Sequence, residues 1–235
     1  MSKRVNFSRH IEIQWLDSVA VWVAQGTEKK ELDEQIDSML TPSINCKVNR
    51  GKTRNQLTKL WFSKSDDIAD SFDQFAIKAV IDSEHSDFVL HWGMLIAKNN
   101  FFADVVRFIG RREKYSEVFT YAQAQKHIVE LYGDTETVKR SLRSVLKTLV
   151  DFKILERQSN RVYKTHNLAH KVESEYKSWL LQSLMYNQGY RSRSLTDMLD
   201  DLVWFPFIFT VSVNKLETTW FDLHQQGNEL ILFKK

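Results

Sequence analysis

Six apolar residues between Val138 and Val150 (Val138, Leu142, Val145, Leu146, Leu149, Val150) recur at spacings of four, three, one, three and one. That spacing makes one continuous stripe on a helix and fits no two-residue strand period. Gly133-Asp134 is a sharp turn before it, and Asp134 or Thr135 supplies the N-cap. Upstream, Thr120 caps a helix running through Tyr132, with Ala124, Ile128, Val129 and Leu131 inward. Downstream, Ile154 to Gln158 and Arg161 to Thr165 read as strands flanking the turn pair Ser159-Asn160. Helix, turn, helix and hairpin in this order predict a winged-helix module over residues 116–166, with a recognition helix beginning near Thr135.

The face opposite the apolar stripe carries Lys139, Arg143 and Lys147 every four residues, with Arg140 beside them and no acid between Thr137 and Val150. Solvent-facing helices usually mix signs to gain i,i+4 pairs, so an unmixed row carries repulsion that an anionic partner relieves. A helix in the major groove of duplex DNA has phosphates on both walls. The hairpin adds Arg157, Arg161 and Lys164, placed to reach a phosphate backbone or minor groove. The residues therefore predict a double-stranded DNA-binding protein. The alternative is a protein- or RNA-binding adaptor, or a transcriptional regulator, using the same winged-helix face.

Charge is segregated along the chain. Residues 45–64 hold six cations and no acid, and residues 135–166 carry a net +5, which leaves −8 elsewhere against an overall +3. The first basic run belongs to an N-terminal region that reads as three helices. One spans 9–25, with Ile11, Trp15, Val19, Trp22 and Val23 in a stripe. A second begins after Thr27 and closes at Pro42. A third is capped by Thr53, with Leu57, Leu60 and Trp61 inward and Arg54, Asn55 and Lys59 outward. With residues 43–51 as the turn, this layout is helix-turn-helix-like, and Arg50, Lys52, Arg54 and Lys59 form a second candidate DNA-contact set.

Helices are expected over 66–82, 86–98 and 101–113, where Trp92, Phe101, Phe102 and Phe108 interleave with aliphatics as core residues. A further helix is expected over 171–188. Ser194 caps a short helix through Val203, the apolar run Phe205 to Val213 reads as a buried strand, and two more strands lie at 220–224 and 229–233. With only 2 Pro and 7 Gly, the fold class is mainly α (α+β): a helical bundle with a helix-turn-helix-like N-terminal part, a central winged helix and a small C-terminal β-sheet. Three units follow: 1–83, 84–170 and 171–235.

Catalytic patterns are missing from the sequence. There is no Gly-rich phosphate loop, nucleophile elbow or Cys-His cluster. His166 and His170, four apart on an expected helical face, are the nearest approach to a metal pair. The lone His91 and His127 read as satisfied core or helix-surface residues. Asp66, Asp67 and Asp70, or Asp197, Asp200 and Asp201, would be the ligands of a metal-dependent nuclease, yet helix starts and exposed faces explain them. The expectation is a protein that is not an enzyme, with no cofactor, no metal site and no small-molecule substrate. Cys46 has no second thiol, the basic start lacks an apolar signal core, and the run Leu202 to Val213 is too short to span a bilayer. Together they predict a cytoplasmic protein without membrane association.

The chain also resembles the BrxA family, the small helical proteins of bacteriophage-exclusion (BREX) defence systems. The likeness rests on Arg50-Gly-Lys-Thr-Arg-Asn-Gln-Leu after a helix pair, on His91-Trp-Gly-Met and on Asn100-Phe-Phe-Ala-Asp-Val. It continues in the run from Thr137 to Leu149 before Ile154-Leu, and in the tail Phe205-Pro-Phe and Leu223-His-Gln-Gln-Gly. The resemblance covers most of the chain, with a departure around Asp66 to Asp87. It implies a non-enzymatic, DNA-binding accessory component of antiphage defence, with other proteins of the same system as further partners.

Overall fold

The helix Phe88–Lys98 is apolar on every side, and each of its residues from Val89 to Ala97 is buried, so it forms the axis of the molecule. The structure is a computed structural model and describes residues 4–83, 87–166, 170–217 and 219–235. It is mainly helical with small sheets. In chain order the helices are α1 (Ile13–Ala24), α2 (Lys29–Leu40), α3 (Lys47–Trp61), α4 (Asp70–Ser83), α5 (Phe88–Lys98), α6 (Asn100–Glu113), α7 (Tyr121–Tyr132), α8 (Glu136–Asp151), α9 (Ser174–Gln188) and α10 (Leu195–Leu199). The strands are β1 (Val118–Thr120), β2 (Leu155–Ser159), β3 (Val162–Thr165), β4 (His170–Lys171), β5 (Ser192–Ser194), β6 (Phe207–Ile208), β7 (Phe221–Gln226) and β8 (Glu229–Lys234).

One hydrophobic core runs from Phe7 to Leu232 and joins all three expected units. Its tightest helix contact sets α5 against α9. A Cβ on Gly93 would lie 2.2 Å from the Trp179 ring, so only glycine admits that approach. The Trp179 ring stacks on Phe72 of α4 at 4.7 Å, and its indole N–H donates to the Phe72 carbonyl. Gly110 plays the same part on α6, where a Cβ would meet the Leu202 carbonyl at 2.4 Å in a 3-10 turn.

The two three-stranded sheets share a design. In the first, antiparallel β3 lies between β1 and β2; in the second, antiparallel β8 lies between β5 and β7. Each follows a long helix (α6 or α9), and in each the short first strand ends on the residue that caps the next helix. Thr120 accepts from the Gln123 N–H in a capping box, and Ser194 accepts from the Asp197 N–H. The central unit has a long helix before its hairpin; the C-terminal one has only α10 and two 3-10 turns, Leu202–Trp204 and Val213–Lys215. A buried polar chain ties them together. Asp201 accepts from Arg107 of α6 at 3.0 Å, from Arg193 of β5 at 3.2 Å and from Gln188 of α9 at 3.1 Å.

Several expectations are corrected. Residues 9–12 lie outside the helix, which starts at Ile13, because the backbone of this segment is held by side chains of α3 and α8. The third helix starts at Lys47, so Thr53 is a buried interior residue whose hydroxyl bonds the Asn49 carbonyl. The run Phe205 to Val213 contributes only the two-residue β6, paired in parallel with β4, while Ile208 and Val213 are about half exposed. Asp201 is not on an exposed face: its side chain is 5% accessible and neutralised by Arg107 and Arg193. His170 belongs to β4, so it shares no helix with His166; residues 167–169 lie outside the described residues. Among the described residues no helix is long and apolar enough to cross a membrane.

Candidate nucleic-acid interface

Helix α8 is positioned by its apolar stripe, in which Val138, Leu142, Val145, Leu146 and Leu149 are buried, and by the Thr135 hydroxyl accepting from the Val138 N–H. The Tyr121 hydroxyl of α7 donates to the Lys139 carbonyl and fixes the angle between the helices. Burial of that stripe leaves Arg140, Arg143 and Lys147 exposed on the opposite side, where i, i+3 and i+7 fall together. The hairpin follows at once. Tyr163 of β3 stacks on Phe119 of β1 at 5.6 Å, and Arg161 takes a left-handed φ of 66° in the turn. A register shift between Arg157 and Ser159 marks a bulge there.

Not every cation of this surface is equally available. Lys139 is half-buried, 2.7 Å from Asp134 and 3.7 Å from Glu136; the Asp134 hydrogen bond raises its pKa. Arg143 lies 3.7 Å from Glu136 but remains well exposed. The row is therefore partly neutralised at its start by acids one turn earlier, just before the acid-free run. Among the described residues no carboxylate lies in ion-pair range of Arg140 or Lys147. On the hairpin, Arg157 and Arg161 are exposed, Arg157 donating to the Asn160 side chain, and Lys164 is 3.5 Å from Glu117.

The N-terminal set divides in two. Arg50 sits 3.5 Å from Asp37 and donates to the Ile44 and Asn45 carbonyls; Arg54 lies 3.8 Å from Asp33 and 3.9 Å from Asp37. These two guanidinium groups join α3 to α2. Lys52 and Lys59 are exposed, and Lys47 with them.

One cation, Arg9, and one imidazole, His10, that charge spacing did not reveal lie between the sets. Arg9 has its N–H and C=O both bonded by the Gln56 side chain, and its guanidinium donates to Asn49 of α3 at 3.0 Å. The neighbouring His10 contacts Asp151, the last residue of α8, and Ile11 N–H donates to the Thr148 hydroxyl at 2.9 Å. Burial, then the charge of Lys147, pushes the His10 pKa down, opposed by Asp151 and Glu12. Residues 9–11 thus bridge the N-terminal end of α3 and the C-terminal end of α8. The one signal in the sequence was Gln56, an amide within an apolar stripe, which needs a polar partner wherever it is buried.

No family model, no curated protein and no solved structure matches this chain.

Proposed function

We propose that the protein binds double-stranded DNA through a winged-helix unit made of α6, β1, α7, α8, β2 and β3, with α8 as the recognition helix and the β2–β3 hairpin as the wing. The observation that carries this reading is the exposed triad Arg140, Arg143 and Lys147 on the free face of α8, directly before a hairpin with exposed Arg157 and Arg161. The sheet order β1-β3-β2, with β1 leading into α7 and the β2–β3 hairpin following α8, supports this reading. The three cations supply phosphate and base-edge contacts, and the hairpin supplies backbone contacts. Lys52 and Lys59 form an accessory set, while Arg50 and Arg54 act structurally. With the family resemblance of the sequence, the proposed setting is a non-enzymatic accessory role in a BREX-type antiphage system.

Retardation of a labelled duplex by the wild type and by the triple reversal Arg140→Glu, Arg143→Glu, Lys147→Glu tests the reading. The expected result is loss of duplex binding with an unchanged circular dichroism spectrum. Duplex binding that survives the reversal overturns it. Binding confined to RNA or to an acidic protein would favour the adaptor reading instead.

A further inference from the structure

His10, Glu12 and Asp151 bring one imidazole and two carboxylates together, with their nearest ligand atoms all within 4.8 Å of one another. The backbone explains why. Glu12 is extended, and burial alternates along the segment: Ile11 is fully buried, while His10 and Glu12 on either side of it are partly accessible. The Ile11 N–H donated to Thr148 docks this segment against the last turn of α8, which delivers Asp151 to the same point. His10 Nε2 contacts Asp151 Oδ2 and lies 3.8 Å from Glu12 Oε1.

We propose that His10, Glu12 and Asp151 form a binding site for a zinc-class divalent cation, which clamps the amino-terminal segment onto the end of α8. A tetrahedral ion with bonds of about 2.0–2.1 Å holds its ligand atoms about 3.4 Å apart; the His10–Asp151 contact is closer than that, His10–Glu12 is 3.8 Å, and the Glu12–Asp151 spacing is within 4.8 Å, so side-chain rotation brings the three to that separation. A neutral imidazole with two carboxylates selects a borderline transition ion over magnesium or calcium, which take oxygen ligands. Three protein ligands leave the fourth position to water. The side chains are 16%, 35% and 32% accessible, so the ion is reachable from solvent while its ligands are partly dehydrated. Coordination at Nε2 requires that nitrogen to be unprotonated, which leaves Nδ1 to carry the ring proton. Lys147, one turn before Asp151, is the opposing charge; its side chain is exposed and screened by solvent.

The site borders Lys147 of the proposed nucleic-acid surface, but its test reads metal binding alone. Chelator-treated full-length protein is titrated with zinc chloride by calorimetry, and thermal unfolding is followed with and without the ion. One equivalent is expected to bind, with a rise in melting temperature. His10→Gln and Asp151→Asn are each expected to weaken binding by at least about tenfold and to abolish the thermal shift, and Lys147→Gln to tighten binding. Saturable binding that is unchanged in both ligand variants, or none up to ~1 mM zinc, overturns the proposal. Because a variant can lose its fold, paramagnetic cobalt(II) added to the wild type gives a second reading. Selective shift or broadening of the His10 ring protons supports the site, and an effect confined to other histidines contradicts it.

Discussion

At His91 two hydrogen bonds fix the protonation state of a fully buried ring. The Trp61 indole donates to Nδ1 at 3.2 Å, so the proton sits on Nε2, which donates to Asp17 at 2.9 Å. Burial pushes this histidine below its ordinary pKa, against the pull of Asp17. The unfolded chain therefore takes up a proton near pH 6.5 that the folded chain refuses, and the stability held above that pH falls as pH drops. We expect His91 to contribute a slope of up to about 1.4 kcal/mol per pH unit below about pH 6.5. Urea unfolding between about pH 7.5 and 5 measures it. His91→Gln, which keeps one acceptor and one donor, should flatten the curve by that amount; an unchanged slope would contradict the assignment. Gly93, two residues on, makes a steric prediction: Gly93→Ala must displace the Trp179 ring and should cost about 1–3 kcal/mol in the same measurement.

At the scale of elements, what was legible in the sequence depended on whether local pattern or distant contact decided the structure. Helix α8 and its hairpin were legible because the stripe from Val138 to Leu149, the Thr135 cap and the polar turn all act within a few residues, although the turn falls on Asn160-Arg161, one residue later than Ser159-Asn160. Strands β1 and β5 were not: three residues each, they exist through pairing with β3 and β8, more than thirty positions away. Ile11 continues the helical spacing of Trp15 and Val19, yet Gln56 and Thr148 claim the backbone groups of Arg9 and Ile11 and leave residues 9–12 outside the helix. Among the candidate site residues, exposure of Arg140, Arg143 and Lys147 followed from the opposite stripe, but pairing of Arg50 and Arg54 with Asp33 and Asp37 needed the packing of α2 on α3. Arg54→Ala should thus lower the melting temperature while leaving the salt dependence of DNA binding unchanged, and Lys52→Ala with Lys59→Ala should do the reverse. Thermal unfolding and binding titrations on the same samples separate the two.

Over the whole molecule, two units with the same sheet order hang on one helical core, and only the central one carries a long basic helix. Asp201 is their joint, paired with Arg193 and with Arg107, which also reaches Asp104 at 3.2 Å. Asp201→Ala leaves Arg193 without its ion-pair partner and Arg107 with Asp104 alone, and should destabilise the chain by about 2–4 kcal/mol, read by urea unfolding; a loss under about 1 kcal/mol would mean that the joint is dispensable. At this scale too stands the proposed contact of α8 with an anionic partner. It is tested most directly by the duplex affinity of the wild type and of the variant Arg140→Ala, Arg143→Ala, Lys147→Ala across a salt series. Each phosphate contact contributes a slope of about −0.9 in log affinity against log salt. The wild type should weaken steeply with salt, and if all three cations contact phosphate, the variant should lose about 2.7 from the magnitude of its slope. Equal slopes, or a wild-type affinity indifferent to salt, would contradict the assignment of α8 as the DNA-contacting helix.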